Sequence, residues 1–541
     1  MSEQSNNFPF YSWVPKPLGI VILLLMFVPP TFSGGAYLCN VSEMSSGLAL
    51  WTEDIQMASF FTSIGMCLFP PFMVRFLQAR RVKQTYLWGF FLLILLNGVC
   101  AVTTSRMVLF ATCFFIGIVC IMLMLSSTFT IAPYLTGMNT LAMFTMTEEP
   151  TPDVQYQLER KRTLLMPVLY FVILTISQLS NVLLAWFAYE YRWQDAYFVV
   201  IGMLMVAMLL VVVTMVEEER KKYQMMWLEF FRMEKRKLPG MLLMGIVLCC
   251  LTYILIYGKT LDWWDDKSIF WAAVLLLLSG GAFLMNAFHD GMRGYLPLGV
   301  FRYRNVTLSL LLFVLTILFN SASNYISAFA KLSTPINNMQ SASLSGWAAV
   351  GVLMGLLVSL VLIARKSHFR TIFCIAFLLM AAANAYLYFQ YQTMGLFENM
   401  ILPTILNFTG LLILYSVVAA WGMKGLPSRY LATYVFLMIW ARNAIAPVVG
   451  VSVYSNWLTH SQQYHIMRLS QEVDAVNVAS LAPAAFASKQ SPQLATASLK
   501  GRVTKQATLV AMRDITGDTV VLLSATAFLV LLLPYRKGET T

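Results

Sequence analysis

Long apolar stretches, broken by short polar and basic segments, recur along almost the whole chain. A helix that crosses a bilayer needs about 20 mainly apolar residues. Fourteen stretches approach that length. The first six are Leu18 to Leu38, Ile55 to Leu77, Tyr86 to Val102, Met107 to Tyr134, Leu164 to Phe187 and Ala196 to Met215. The other eight are Leu238 to Tyr257, Ile269 to Phe288, Val306 to Ala330, Leu344 to Ala364, Thr371 to Tyr391, Met400 to Trp421, Tyr430 to Asn456 and Thr519 to Pro534. They are numbered spans 1 to 14 below. Backbone polar groups inside a bilayer have no water to bond, so each span is expected to be a helix that satisfies its own backbone. The pattern predicts an all-α polytopic membrane protein.

The polar segments orient these spans. The most densely charged run, Glu217 to Lys237, lies between spans 6 and 7 and carries Arg220, Lys221, Lys222, Arg232, Lys235, Arg236 and Lys237. Lys and Arg beside membrane spans are retained on the cytoplasmic side. With the N-terminus also inside, most basic residues fall in cytoplasmic segments, and the short external loops carry only Arg106, Arg192, Lys259, Lys267 and Lys331. Both termini are therefore expected in the cytoplasm. The N-terminal segment lacks the basic n-region of a cleaved signal, so span 1 is expected to serve as the insertion signal and to remain.

Composition agrees and removes other classes. At 59% hydrophobic and 11% charged over 541 residues, the chain is too apolar for a soluble domain. Its net charge of +12 is accounted for by membrane topology and anionic headgroups rather than by nucleic acid. The eight cysteines sit in or at the ends of apolar segments, without the spacing of metal or redox sites. Four histidines show no metal-ligand spacing, and neither a Walker loop nor a GxSxG elbow occurs. Neither an enzyme nor a bound cofactor or metal is expected.

Two connections are long. Leu135 to Arg162 reads as a solvated, partly helical cytoplasmic connector. The external one, Trp457 to about Thr508, is rich in Ala, Ser and Gln and reads either as a disordered linker or as a helical hairpin facing another protein.

The acidic residues lie in loops or near span ends, with Glu53 and Asp54 opening span 2 and Asp514 and Asp518 opening span 14. One basic residue breaks the neutral interior. Arg442, in ARNAIAPVVG beside Asn443, lies about 12 residues into span 13, roughly 18 Å along a helix. An intramembrane charge is expensive and marks a functional site by default. It either joins helices through backbone carbonyls or Asn side chains, or is the fixed positive charge of a transport cavity near Asp54, Glu53 or Asp518. Neutral polar groups cluster as Ser126, Ser127, Thr128 and Thr130 in span 4, Ser177, Gln178, Ser180 and Asn181 in span 5, and Asn320, Ser321, Ser323, Asn324 and Tyr325 in span 9. Such groups join helices or line a wet path. Pro29 and Pro30 in span 1, and Pro70 and Pro71 in span 2, interrupt regular helix bonding.

The order of elements resembles the fourteen-span drug/proton antiporters of the major facilitator superfamily, of the EmrB and QacA type. Four segments carry the resemblance: LLAWFAYEYRWQDAYFVVIG with Arg192 and Trp193, LPLGVFRYRN before span 9, ARNAIAPVVGVSV with Arg442 and Gly450, and QATLVAMRD with Gln506, Ala507, Ala511 and Asp514. The chain departs from the pattern elsewhere. Phe72 and Phe76 replace the Gly and Asp of the loop between spans 2 and 3, which keeps Arg80 and Arg81 as its cytoplasmic gating pair. Ser177, Gln178, Asn181 and Val182 replace the glycine-rich antiporter motif, and Cys113 replaces an arginine. The resemblance implies two six-helix bundles, residues 1–216 and 306–541, with the basic linker and two extra spans, 217–305, between them. It further implies a secondary active exporter of amphipathic or hydrophobic small molecules in a bacterial inner membrane, working by alternating access. It also implies a periplasmic membrane-fusion adaptor and an outer-membrane channel as partners, docked on the long external connection. The alternatives are an importer or carrier of an anionic metabolite paired by Arg442, and a transport-inactive scaffold or sensor.

Overall fold

A computed structural model describes residues 9–79, 81–136, 152–217, 234–333, 337–391, 395–471 and 492–532. Arg80, Arg220, Lys221, Lys222 and Arg232 lie outside the described residues, as do residues 137–151 and 472–491 of the two long connections. Among the described residues, thirteen helices are long and apolar enough to cross a membrane, and Lys16–Phe32 is a shorter apolar helix beside them. Together they match the fourteen predicted spans in order. The described residues are overwhelmingly helical, with one isolated antiparallel bridge between Phe10 and Met215.

The proline pairs act where the sequence places them. Span 1 ends at Phe32, one turn after Pro29. Pro29 O accepts from both the backbone N–H and the Oγ of Ser33, each at 3.1 Å, which closes the helix end. Span 2 runs Thr52–Leu68, tightens into a 3-10 turn at Pro70–Phe72, and resumes as Met73–Ala79. Span 9 breaks likewise. Helix Arg304–Asn320 is followed by a 3-10 turn Ser321–Ser323 and then by Asn324–Ser333, so its polar cluster sits at the break.

By internal contacts the chain divides into two compact units. The first holds Met1–Leu315 with Tyr415–Val448, and the second Thr316–Leu414 with Val449–Thr541. In the first, spans 2 and 4 approach so closely that a Cβ on Gly117 would stand 2.0 Å from Thr62 O, and one on Gly65 2.2 Å from Phe114 O. Small residues at such contacts let helix backbones meet, which is how packing replaces the hydrophobic drive in a bilayer. The core gathers Tyr86, Phe90, Cys113, Tyr197 and Leu204, all fully buried. The two extra spans, Lys237–Tyr257 and Lys267–Asp290, pack on span 2 through Met57, Phe60, Ile254, Tyr257 and Ile269.

In the second unit, span 11, Phe369–Gln390, lies along helix Pro492–Leu531, and the core includes Phe329, Tyr391, Met400 and Ile515. The described parts of the external connection are helical, which corrects the disordered-linker alternative for them. Span 13 continues to Gln471, and the last helix begins at Pro492, well before span 14 was expected to start. Gln462 donates to Thr508 Oγ1 at 2.7 Å, and His465 Nε2 lies 2.8 Å from Asp514 Oδ2, so the two extensions are tied side by side. Composition missed this because Ala, Gln and Lys are good helix formers as well as common linker residues.

Candidate functional site

Span 13 is not a regular helix where its charge lies. Ser428–Trp440 passes into a π-helical turn, Ala441–Ile445, before the α-helix resumes at Ala446. Single π turns inside α-helices occur mostly at functional positions, because the extra residue re-aims a side chain. Arg442 sits on this turn. Its Nε donates to Asn443 Oδ1 at 2.9 Å, and its guanidinium carbon lies 6.0 Å from the ring centroid of Tyr170 on span 5. Tyr170 meets Tyr415 edge-on at 5.7 Å, and Tyr415 stacks on Phe313 at 4.8 Å.

Arg442 and Tyr170 line a cavity of about 180 Å³ within the first unit, walled by spans 1, 4, 5, 12 and 13. Its walls are mainly Leu, Ile, Met and Phe. Among the described residues the polar members are Thr128, Arg162, Tyr170, Tyr434 and Arg442, and none of the described lining residues is a carboxylate. On span 5 the lining runs from Arg162 to Ile173, roughly 16 Å at 1.5 Å per residue. A second, smaller cavity of about 130 Å³, lined by Leu24, Val168 and Val172 among others, shares Phe27, Thr128, Leu165, Leu169 and Ile173 with the first.

The energy balance at Arg442 decides between the two readings of this charge. Placing Arg at a helix centre in the bilayer costs about 2.5–3.5 kcal/mol on insertion scales. A cation–π contact returns about 0.5–2 kcal/mol and a charge-assisted hydrogen bond about 1.5–3 kcal/mol. These gains roughly offset the cost. They engage only Nε and the ring-facing side of the group. Among the described residues the terminal amino groups of Arg442 make no hydrogen bond and no carboxylate lies within ion-pair distance. A helix-joining arginine would spend its five donors on carbonyls. Arg442 does not.

The other candidate residues fall elsewhere. Asp54 is buried on span 2 beneath its helix N-terminus. It accepts from Trp51 N–H at 3.2 Å and from the Tyr257 hydroxyl of span 7, and its Oδ1 is 3.4 Å from Arg106 Nη1 of span 4. Its partner is therefore Arg106, and Asp54 does not line the Arg442 cavity. Glu53, half-buried, accepts from Thr52 Oγ1 at 2.8 Å and from Thr260 Oγ1 at 3.3 Å. Ser177 lies one turn beyond Ile173 on the cavity-lining face of span 5, and Asn181 one turn further; Gln178 is half-buried beside them. Ser180 Oγ donates to Ser177 O at 2.8 Å.

In the second unit Asn320 Oδ1 accepts from Asn407 Nδ2 at 2.9 Å, and Asn324 opens the helix after the span 9 break. A Cβ on Gly450 would meet Ser321 Oγ at 2.1 Å, so glycine in span 13 makes room for that break. Asp514 pairs with His465, and Asp518 is exposed on the same helix. Arg81 stands at the N-cap position of Val82–Val102 without a side-chain capping bond.

Sequence reasoning missed three residues here. Tyr170 and Arg162 stood in an apolar run and a topology-setting charge run, where neither is distinguishable from its neighbours. Glu234 is buried and bridges Arg75 Nε at 2.7 Å and Lys237 Nζ at 3.0 Å. Lys237 Nζ also donates to Pro71 O at 3.0 Å, so an acid from the linker reaches the segment after span 2, where Phe76 stands in place of one.

No family model matches the chain, and no curated protein matches it. Solved structures do. A structure from work on substrate recognition in proton-dependent oligopeptide transporters aligns at 14% identity with a TM-score of 0.54, covering 96% of this chain and 98% of the other. The nucleoside transporter NupG aligns at 10% identity and 0.51, over 94% and 98%. A POT family transporter in complex with 5-aminolevulinic acid aligns at 13% identity and 0.52, over 95% and 97%. The likeness establishes the fold. This is an all-α, multi-pass membrane protein with the major facilitator fold.

Proposed function

We propose that this chain is a secondary active transporter for amphipathic small molecules, working by alternating access. The observation that carries the reading is Arg442, held on a π turn at the wall of an apolar cavity with no carboxylate among its described lining residues. Carriers of this architecture place their sites at broken helices near the bilayer midplane. The solved neighbours are named as transporters of peptides and nucleosides, which supports a carrier over an enzyme or a scaffold. Bundles 1–216 and 306–541 are proposed as the moving halves, with 217–305 as the inserted linker and spans.

Export across a bacterial inner membrane, with both termini cytoplasmic, is the direction favoured by the resemblance to EmrB and QacA. The bare positive charge of Arg442 favours a second reading equally, uptake of an anionic metabolite. Gradient-driven flux of the purified chain in proteoliposomes tests both. Movement dependent on an imposed proton or sodium gradient supports the transporter, its vectorial sense selects export or uptake, and absence of flux from well-folded protein would overturn both.

The paired extensions Trp457–Gln471 and Pro492–Thr508 are proposed to receive a periplasmic adaptor, itself the link to an outer-membrane channel. Removing residues 462–505 and rejoining the ends is expected to abolish adaptor copurification while membrane insertion persists. Undiminished copurification would place docking elsewhere.

A further inference from the structure

The cavity is chemically lopsided, and its lopsidedness specifies the cargo. Its walls are apolar, so they reward burial of a hydrophobic body at about 25 cal/mol per Å². Its two charged ends, Arg162 and Arg442, are both guanidiniums, and its lining holds no acid among the described residues. The two are not equivalent. Glu159, one turn before Arg162 on the same helix, supplies a negative charge close to that end, and its Oε1 also accepts from Gly425 N–H at 3.1 Å. Among the described residues Arg442 has no such neighbour: its Nε is held by Asn443, its guanidinium carbon lies 6.0 Å from the Tyr170 ring centroid, and its terminal amino groups have no protein acceptor. The Nε bond and the nearby Tyr170 ring restrain the guanidinium. What is left is the edge that binds a carboxylate by two parallel hydrogen bonds.

We infer that the Arg442 cavity binds an amphipathic organic anion, with a carboxylate or comparable oxyanion on the terminal amino groups of Arg442 and its hydrophobic body along span 5. A cationic amphiphile is excluded by the same features, since it would place a second positive charge beside two guanidiniums in an apolar pocket. A neutral one forgoes the charge-assisted bonds. Asn443 is a positioning residue in this scheme: it holds the fork and does not touch the cargo. The assignment rests on the transporter reading for its biological sense, but the binding chemistry stands on the cavity alone.

The test uses the full chain in lipid nanodiscs and three naphthalene derivatives of similar size: 2-naphthoate, 2-naphthylmethanol and 2-naphthylmethylammonium, at neutral pH by titration calorimetry. Naphthoate is expected to bind the wild-type chain about tenfold or more tightly than the alcohol, the gain of a charge-assisted bond, with the ammonium weakest. Arg442→Gln should bring naphthoate to the level of the alcohol and leave the alcohol unchanged. Arg442→Lys should recover part of the loss, because a point charge replaces the fork. Equal or tighter binding of the ammonium, or no binding of naphthoate up to its solubility, overturns the proposal on wild-type protein alone, whether or not the variants fold. Flux of the same compounds separates the two readings. Charge-selective binding without gradient-driven movement would sink the transporter and leave the anion site. Movement of the ammonium in preference to naphthoate would leave the transporter and sink the anion site.

Discussion

Arg442→Ala is expected to reduce gradient-driven flux by about 10–100-fold, the range corresponding to loss of one or two charge-assisted hydrogen bonds at roughly 1.5–3 kcal/mol. It is expected to leave the amount of folded, monodisperse protein close to wild type. The second half follows from the balance at this site. Alanine gives up the Tyr170 contact and the Asn443 bond, but it also removes a charge whose placement in the bilayer costs about as much as they return. Loss of activity without loss of protein is the signature of a side chain retained for what it binds. A parallel loss of folded protein, measured by gel filtration of detergent extracts beside the flux assay, would return Arg442 to a helix-joining role.

That Arg442 stands apart from its neighbours was legible from the sequence, and how it is held was not. A single arginine deep in an apolar span is conspicuous against the cost of burying it. The π turn that aims it leaves no trace in ARNAI, because a one-residue insertion into the helical register depends on what packs against it. The fourteen spans were equally legible, because length and hydropathy determine them. Their ends were less so. Span 13 runs on to Gln471, and the last helix begins at Pro492, because hydropathy marks where a helix leaves lipid and says nothing about where it stops. Partnership across the chain was the least accessible level. One of the two readings of Arg442 placed it near Asp54, Glu53 or Asp518. The structure instead gives Asp54 to Arg106 and Tyr257, and leaves Arg442 beside an aromatic ring. The same gap hid Glu234, whose place under the segment after span 2 depends on how the linker returns to span 7.

Asp54→Ala is expected to lower stability by about 1.5–5 kcal/mol, read as a lower midpoint of thermal unfolding in detergent and a smaller folded yield. Two losses add. The Tyr257 hydroxyl loses its acceptor in a buried setting, at about 1–3 kcal/mol, and the N–H of Trp51 loses the carboxylate that closes the start of span 2, at about 0.5–2 kcal/mol. Arg106 contributes little to the sum, since its side chain is 47% exposed and its bond to Asp54 is long at 3.4 Å. The loss should be felt where span 7 packs on span 2, because Tyr257 also belongs to the apolar contact with Met57 and Phe60. Asp54→Asn separates this bonding role from a coupling role. The amide oxygen can still accept from one of the two donors, so about half the stability loss should remain, and gradient-driven flux through the protein that folds should persist. Should Asp54→Asn instead keep its stability and lose the dependence of flux on an imposed proton gradient, the Asp54 carboxylate would serve coupling rather than the bonds that hold spans 2 and 7 together.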